Sequence, residues 1–233
     1  MSVPFFYIRD FVPGRKELVL EEETSRHIVQ VLRMKDGEKL LLTDGLGRLL
    51  QTRITAAHKK SCRVEVLAEE QHPAPPGRVS IAISPVKNTS RFEWFLEKVT
   101  EIGITEIIPL LCERTEKERF RYDRMQSICI SAMLQSQQVW LPRLQEPMPF
   151  RDILSPVRKG NRFIAHCLEE DKTSLADAVS ADDALILIGP EGDFSPEEIR
   201  EALQAGFQPV SLGATRLRTE TAGVVAAVLL QIK

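Results

Sequence analysis

The chain has 233 residues, 43% hydrophobic and 27% charged, with 31 Lys and Arg against 33 Asp and Glu for a formal net charge of −2. That balance suits a globular protein of one large or two modest domains and excludes the collagenous, disordered and disulfide-scaffold classes. It gives no global pull toward nucleic acid, so an RNA partner would need a local basic surface.

The longest apolar run, residues 222–230, is nine residues, against the roughly 20 needed to span a bilayer. With no basic-then-apolar signal pattern at the start of the sequence, a cytoplasmic location without a membrane partner is expected. Cys62, Cys112, Cys129 and Cys167 are scattered with no CxxC pair, so reduced thiols are expected and neither a zinc site nor a disulfide framework. The isolated His58, His72 and His166 suggest no metal or nucleophile role.

In chain order, the apolar runs at 5–8, 18–20, 38–43, 49–56 and 63–67 read as strands, with a helix near 24–32 and a hairpin loop at 44–47. Five short strands in about 70 residues suggest a small barrel. The segment 71–77, QHPAPPG, reads as a linker and divides the chain into 1–72 and 73–233. Beyond it, a strand at 79–84, a helix at 92–102, a strand at 106–111, a helix at 122–137 and strands at 163–167 and 184–188 alternate as in an α/β domain with a parallel sheet. The 122–137 helix gathers Met125, Ile128, Cys129, Ala132 and Met133 on one face.

Two glycine-punctuated turns follow, GPEGDF at 189–194 and LGATRLRTETA at 212–222. The first leaves the apolar strand 184–188, typical of a buried parallel strand. It precedes Ser195-Pro196-Glu197-Glu198, a serine cap with proline at the first helical position and a glutamate able to close a capping box. A short strand at 209–212 leads to the second turn, and the last helix, 220–231, is so apolar that near-complete enclosure is expected. The first loop lacks the lysine and hydroxyl of a phosphate-cradling loop, and Glu191 and Asp193 would repel phosphate. It suits a ligand that is neutral or positive beside those carboxylates. In the second turn Arg216, Arg218 and Glu220 crowd the start of the apolar helix, where charge is costly unless paired or used. A structural ion pair of Arg218 with Glu220 or Glu191 is the competing reading.

Two basic clusters stand elsewhere. His27, flanked by Arg26 and followed by Arg33, lies on the helix of the small domain, as an RNA contact or as part of a solvated face. Arg114, Lys117, Arg119, Arg121 and Arg124 are interleaved with acids, a pattern compatible with a salt-bridged loop.

The segments LILIGPEGDFSPEEI, VSLGATRLRTETA, FEWFLEKVTEIGITEIIPLLCERT and RHIVQVLRMKDGE together resemble the RsmE family of SPOUT-class methyltransferases over nearly the whole chain. The resemblance implies a PUA-like barrel followed by an α/β domain whose end is tucked through a loop as a trefoil knot. It implies S-adenosylmethionine as cofactor, N3 of one uridine in 16S ribosomal RNA of the small subunit as target, and a homodimer. Carried over by position, the cofactor would meet Gly189, Glu191 and Gly192 in the first loop, and Leu212, Gly213, Leu217, Arg218, Thr219, Glu220, Thr221 and Ala222 in the second. Arg218 is expected to stabilise charge on the uridine, with Glu220 or Glu191 orienting it or relaying the proton. The chain departs from the family around Gln135-Ser136, where a glutamate and a basic residue are usual. The alternatives are a non-catalytic RNA-binding protein of ribosome assembly, or a SPOUT enzyme acting on transfer RNA or ribose.

Overall fold

The computed structural model describes residues 3–116, 119–155, 160–180 and 183–231. They form two compact units, 1–74 with 133–141, and 75–132 with 142–233.

The first unit holds β1 (Phe5–Tyr7), β2 (Glu17–Val19), α1 (Glu22–Arg26), β3 (Lys39–Thr43), β4 (Arg48–Ala56) and β5 (Arg63–Gln71). One sheet runs in the order β1-β3-β4-β5-β2, with β1 parallel to β3 and the other neighbours antiparallel. Alternation turns Leu40, Leu42, Leu50, Ile54 and Val64 inward onto Ile28, while intervening residues face out. Two register breaks between β4 and β5 add the local bend a curled sheet needs. The helix starts at Glu22 and ends in a π-helical turn, His27–Val31, in which Leu32 N donates to His27 O at 3.0 Å. The sequence did not announce that 133–141 returns to this unit: Trp140 Nε1 donates to Pro73 O at 2.9 Å, and Leu46 bridges to Trp140.

The second unit contains β6 (Val79–Ile83), α2 (Thr89–Ile102), β7 (Glu106–Leu111), α3 (Tyr122–Gln135, its last turn reaching the returning segment), β8 (Arg143–Leu144) and β9 (Met148–Pro149). It continues with α4 (Phe150–Ile153), β10 (Asn161–Ala165), β11 (Thr173–Ser174), α5 (Leu175–Ala178), β12 (Ala184–Ile188), α6 (Pro196–Gln204), β13 (Gln208–Ser211) and α7 (Thr219–Gln231). The sheet order is β11-β13-β10-β12-β6-β7-β8, with β9 also on β7, and every pairing is parallel. β6 and β12 are buried at all five positions, as the apolar runs require of central parallel strands.

Several boundaries move from their sequence positions. α2 begins at Thr89 because Asn88 Oδ1 accepts Ser90 N at 3.0 Å as an N-cap. α3 stops at Gln135, before Gln137 at φ 57°, and β10 spans 161–165 where 163–167 was expected. The expected enclosure of the last helix is only half realised. Gly223, Ala226, Ala227 and Leu230 of α7 are buried, but Val224, Val225, Val228 and Leu229 are only half-buried within one chain. The buried face sits very close: a Cβ on Gly223 would lie 2.5 Å from Phe95 Cε2 and 2.8 Å from Ile83 Cδ1. No described helix is long and apolar enough to cross a membrane.

Candidate cofactor cleft

β13, β10 and β12 are neighbours in the parallel sheet, so the loops after them leave one carboxyl edge side by side. Open α/β sheets bind ligands at that edge. A cleft of about 420 Å³ opens there, within the size range of small-molecule sites. Gly189, Pro190, Glu191 and Asp193 line it from the first loop, and Arg216, Leu217 and Arg218 from the second. Thr219, Glu220 and Ala222 at the start of α7, Arg91 of α2, Ala165 at the end of β10 and Cys167 just beyond it complete it.

The first loop is tied down along its length. Asp193, at φ 63°, accepts Cys167 N and Phe194 N, each at 2.9 Å, and its own N donates to Pro190 O. Asx side chains tolerate and fasten such left-handed turns. Asp193 is therefore a clasp of the loop, and its charge is engaged by backbone donors. The Arg114 guanidinium donates to Gly192 O at 2.9 Å and Phe194 O at 3.4 Å. Ser195 and Glu198 form the capping box expected for α6, and Glu198 Oε1 also accepts Glu113 N at 2.8 Å. Buried Thr219 Oγ1 donates to Gly189 O at 3.0 Å, joining the two loops at the base of the cleft.

The second loop is held by less. Ser211 Oγ exchanges hydrogen bonds with Gly213 N and O, and Gly213 sits at φ 138°, where a side chain is strained. Arg216 and Arg218 are exposed, and no hydrogen bond or ion pair joins either guanidinium to another described residue. The Arg218 ion pair weighed from the sequence does not form. Buried Glu220 instead lies 3.7 Å from Arg91 Nε. Sequence reading missed Arg91, since nothing near it links it to a residue 129 positions on.

Not every expected cofactor residue lines this cleft. Gly189, Glu191, Leu217, Arg218, Thr219, Glu220 and Ala222 do; Gly192, Leu212, Gly213 and Thr221 do not. Among the described protein atoms a Cβ on Gly192 would touch only the Arg114 side chain, at 3.6 and 3.8 Å, so protein packing does not demand a glycine there. At Gly189 a Cβ would come within 3.0–3.1 Å of Phe194, so packing of the loop on itself explains that glycine. In the first unit, exposed Arg26 pairs with Glu22 at 2.8 Å, exposed His27 sets its ring edge-to-face with Phe6, and exposed Arg33 follows the π turn at φ 56°. Lys117 of the second basic cluster lies outside the described residues. Among the described residues no group of three or more His, Cys, Asp or Glu could hold a metal ion.

Known proteins fit this geometry. The family model "RNA methyltransferase domain" matches residues 73–231, and "RNA methyltransferase PUA domain" matches 20–67. A ribosomal RNA small subunit methyltransferase E from Synechocystis is 31% identical over 208 residues, covering 86% of this chain and 68% of the relative. The chain belongs to the ribosomal RNA small subunit methyltransferase E family. The family's fold is seen in solved structures as well. A probable rRNA-methyltransferase from Porphyromonas gingivalis superposes with a TM-score of 0.90 at 41% identity, covering 98% of both chains. A Neisseria gonorrhoeae methyltransferase E bound to S-adenosyl methionine gives 0.86 at 29% identity, covering 99% of this chain and 97% of that one. The fold class is that of the family, a parallel α/β methyltransferase domain with a smaller PUA-like sheet domain.

Proposed function

We propose that this protein is an S-adenosylmethionine-dependent methyltransferase acting on N3 of a uridine in 16S ribosomal RNA of the small subunit. The observation that carries the reading is the cleft itself: two loops joined by the Thr219–Gly189 bond, with the unpartnered guanidinium of Arg218 at its wall. The residues fit the cofactor chemically. Leu217, Ala222 and Pro190 offer apolar surface, and the carboxylates of Glu191 and Glu220 suit a ligand bearing a positive sulfonium. When bound, S-adenosylmethionine supplies an already activated methyl group.

The protein's share is positioning and charge management. Loss of the N3 proton spreads negative charge onto the uridine O2 and O4. Among the described residues no carboxylate forms an ion pair with Arg218, so its guanidinium is available to stabilise that charge. Glu220, buried and paired with Arg91, holds that second guanidinium in the cleft. Glu191, exposed at the mouth and accepting Lys87 N at 3.3 Å, can relay the proton to solvent. The half-buried Val224, Val225, Val228 and Leu229 stripe on α7 supports a homodimer that covers it, and the setting is the cytoplasm, where ribosomes assemble. The division at 72/73 is taken as the functional one, with Arg26, His27 and Arg33 of the small domain touching RNA. Replacing Arg26 and Arg33 by Glu would then weaken RNA binding and flatten its salt dependence.

Mass mapping of 16S ribosomal RNA from a deletion strain tests the function. One methyluridine disappears and returns on complementation; an unchanged methylation map contradicts the proposal.

A further inference from the structure

The basic stretch 114–124 is resolved by the fold into residues with different work. Arg114 is spent on the first loop's carbonyls, and Arg124 forms a two-pronged pair with Glu93, Nη2 to Oε2 at 2.9 Å. Arg119 and Arg121 are exposed, and neither guanidinium has a hydrogen bond or ion pair to another described residue. Both line a second cleft of about 430 Å³ in the same unit. Its apolar side is Val86, Phe92 and Met125, with Phe120 half-buried and edge-to-face on Phe92 at 6.0 Å. Three guanidinia and one carboxylate line it, and that carboxylate is already matched by Arg124.

This cleft and the cofactor cleft share a wall. In the first turn of α2, Ser90 and Phe92 face the second cleft while Arg91 between them faces the first. An RNA strand that leaves the cofactor cleft over that turn would meet the second cleft within a residue's reach. We propose that the second cleft, through Arg119 and Arg121, holds an RNA phosphate flanking the nucleotide presented for methylation. Arginine suits the task because its planar fork meets two phosphate oxygens at once. The apolar floor beneath, with Phe120 at its rim, gives the adjoining base or sugar a surface to rest on. The assignment rests on the RNA-methyltransferase reading and adds a site to it.

The test is the full-length double variant Arg119→Gln/Arg121→Gln, with Arg151→Gln/Arg200→Gln as a control of equal charge change on exposed residues elsewhere in the unit. Small-subunit RNA affinity is read against salt, cofactor affinity by calorimetry, and folding by thermal melting. The expected result is an RNA affinity lowered about tenfold or more, with a log–log salt slope shallower by about 0.7 for each lost contact. Cofactor affinity and melting temperature stay as in the wild type, and the control binds RNA normally. Wild-type RNA affinity and slope in the cleft variant would overturn the assignment, and so would an equal loss in the control. If the cleft variant melts early, single Arg119→Lys and Arg121→Lys variants replace it: a charge kept without its fork should still weaken binding. Absence of RNA methylation by the wild-type protein would sink the proposed function instead, a separate outcome.

Discussion

The two loops of the cofactor cleft look alike in sequence and are built on opposite plans. Residues 189–194 are clamped by three side-chain-to-backbone bonds: the Asp193 carboxylate accepts Cys167 N, Arg114 donates to Gly192 O, and Thr219 donates to Gly189 O. Residues 212–218 are held by the Ser211–Gly213 bonds and, at their end, by Ala222 N donating to Arg218 O at 2.7 Å, and they present two arginines whose guanidinia bond no other described residue. A glycine-rich loop is thus not by itself a ligand loop: here the clamped one makes a rigid floor, and the loosely held one carries the charge that chemistry can use.

The contrast breaks most visibly at Arg218. Arg218→Ala is expected to lower the methylation rate at saturation about 100-fold or more, the scale of losing one group that stabilises transition-state charge. Cofactor affinity should fall far less; the reverse pattern in steady-state kinetics and calorimetry would make Arg218 a binding residue only. Next is the base of the floor. Gly223→Ala drives a Cβ into Phe95 and Ile83 behind the cleft, and is expected to cost about 1–3 kcal/mol in denaturant unfolding, as overpacking does.

Gly192→Ala sharpens the comparison by doing little. Its Cβ would meet only Arg114 at ordinary contact distance, so cofactor affinity should stay within about twofold of wild type, a change under about 0.5 kcal/mol. A large loss in calorimetry would return Gly192 to the cofactor wall.

The smallest effect concerns the end of β10, beside the clasp of Asp193. The buried His166 imidazole is held below its ordinary pKa by burial and by Lys172, which outweigh Glu170 at 2.9 Å and Asp193. The unfolded chain therefore binds the proton more readily. This contribution to stability is full above the unfolded pKa of about 6.5 and is lost as pH falls below it toward the folded value. Unfolding curves at pH 7.5 and 5.5 should show a drop that His166→Gln reduces; an equal drop in the variant would remove His166 as its source.

Much of this was legible from the chain. The α6 capping box, the buried runs of β6 and β12, and the loops at one sheet edge follow from local patterns that burial only reinforces. What escaped was set by distance in sequence. Arg91 meets Glu220 only because α2 packs on α7, and the 133–141 return to the small unit depends on Trp140 reaching Pro73. β8, β9 and β11 have two residues each, too few to show a period. What packs beside Gly192 was equally out of reach, because a glycine's letter does not say that its bare Cα faces the Arg114 side chain.

The central claim is that the cofactor sits between the two loops against the start of α7. Ala222 lines that cleft and is half-buried, so a phenyl ring there fills the space without entering the core. Titrating S-adenosylmethionine into the wild type and Ala222→Phe by calorimetry decides it. Binding by the wild type and an affinity lowered about 100-fold or more in the variant, about 2.7 kcal/mol, at an unchanged melting temperature, is the predicted result. Equal affinity in the two proteins would contradict it.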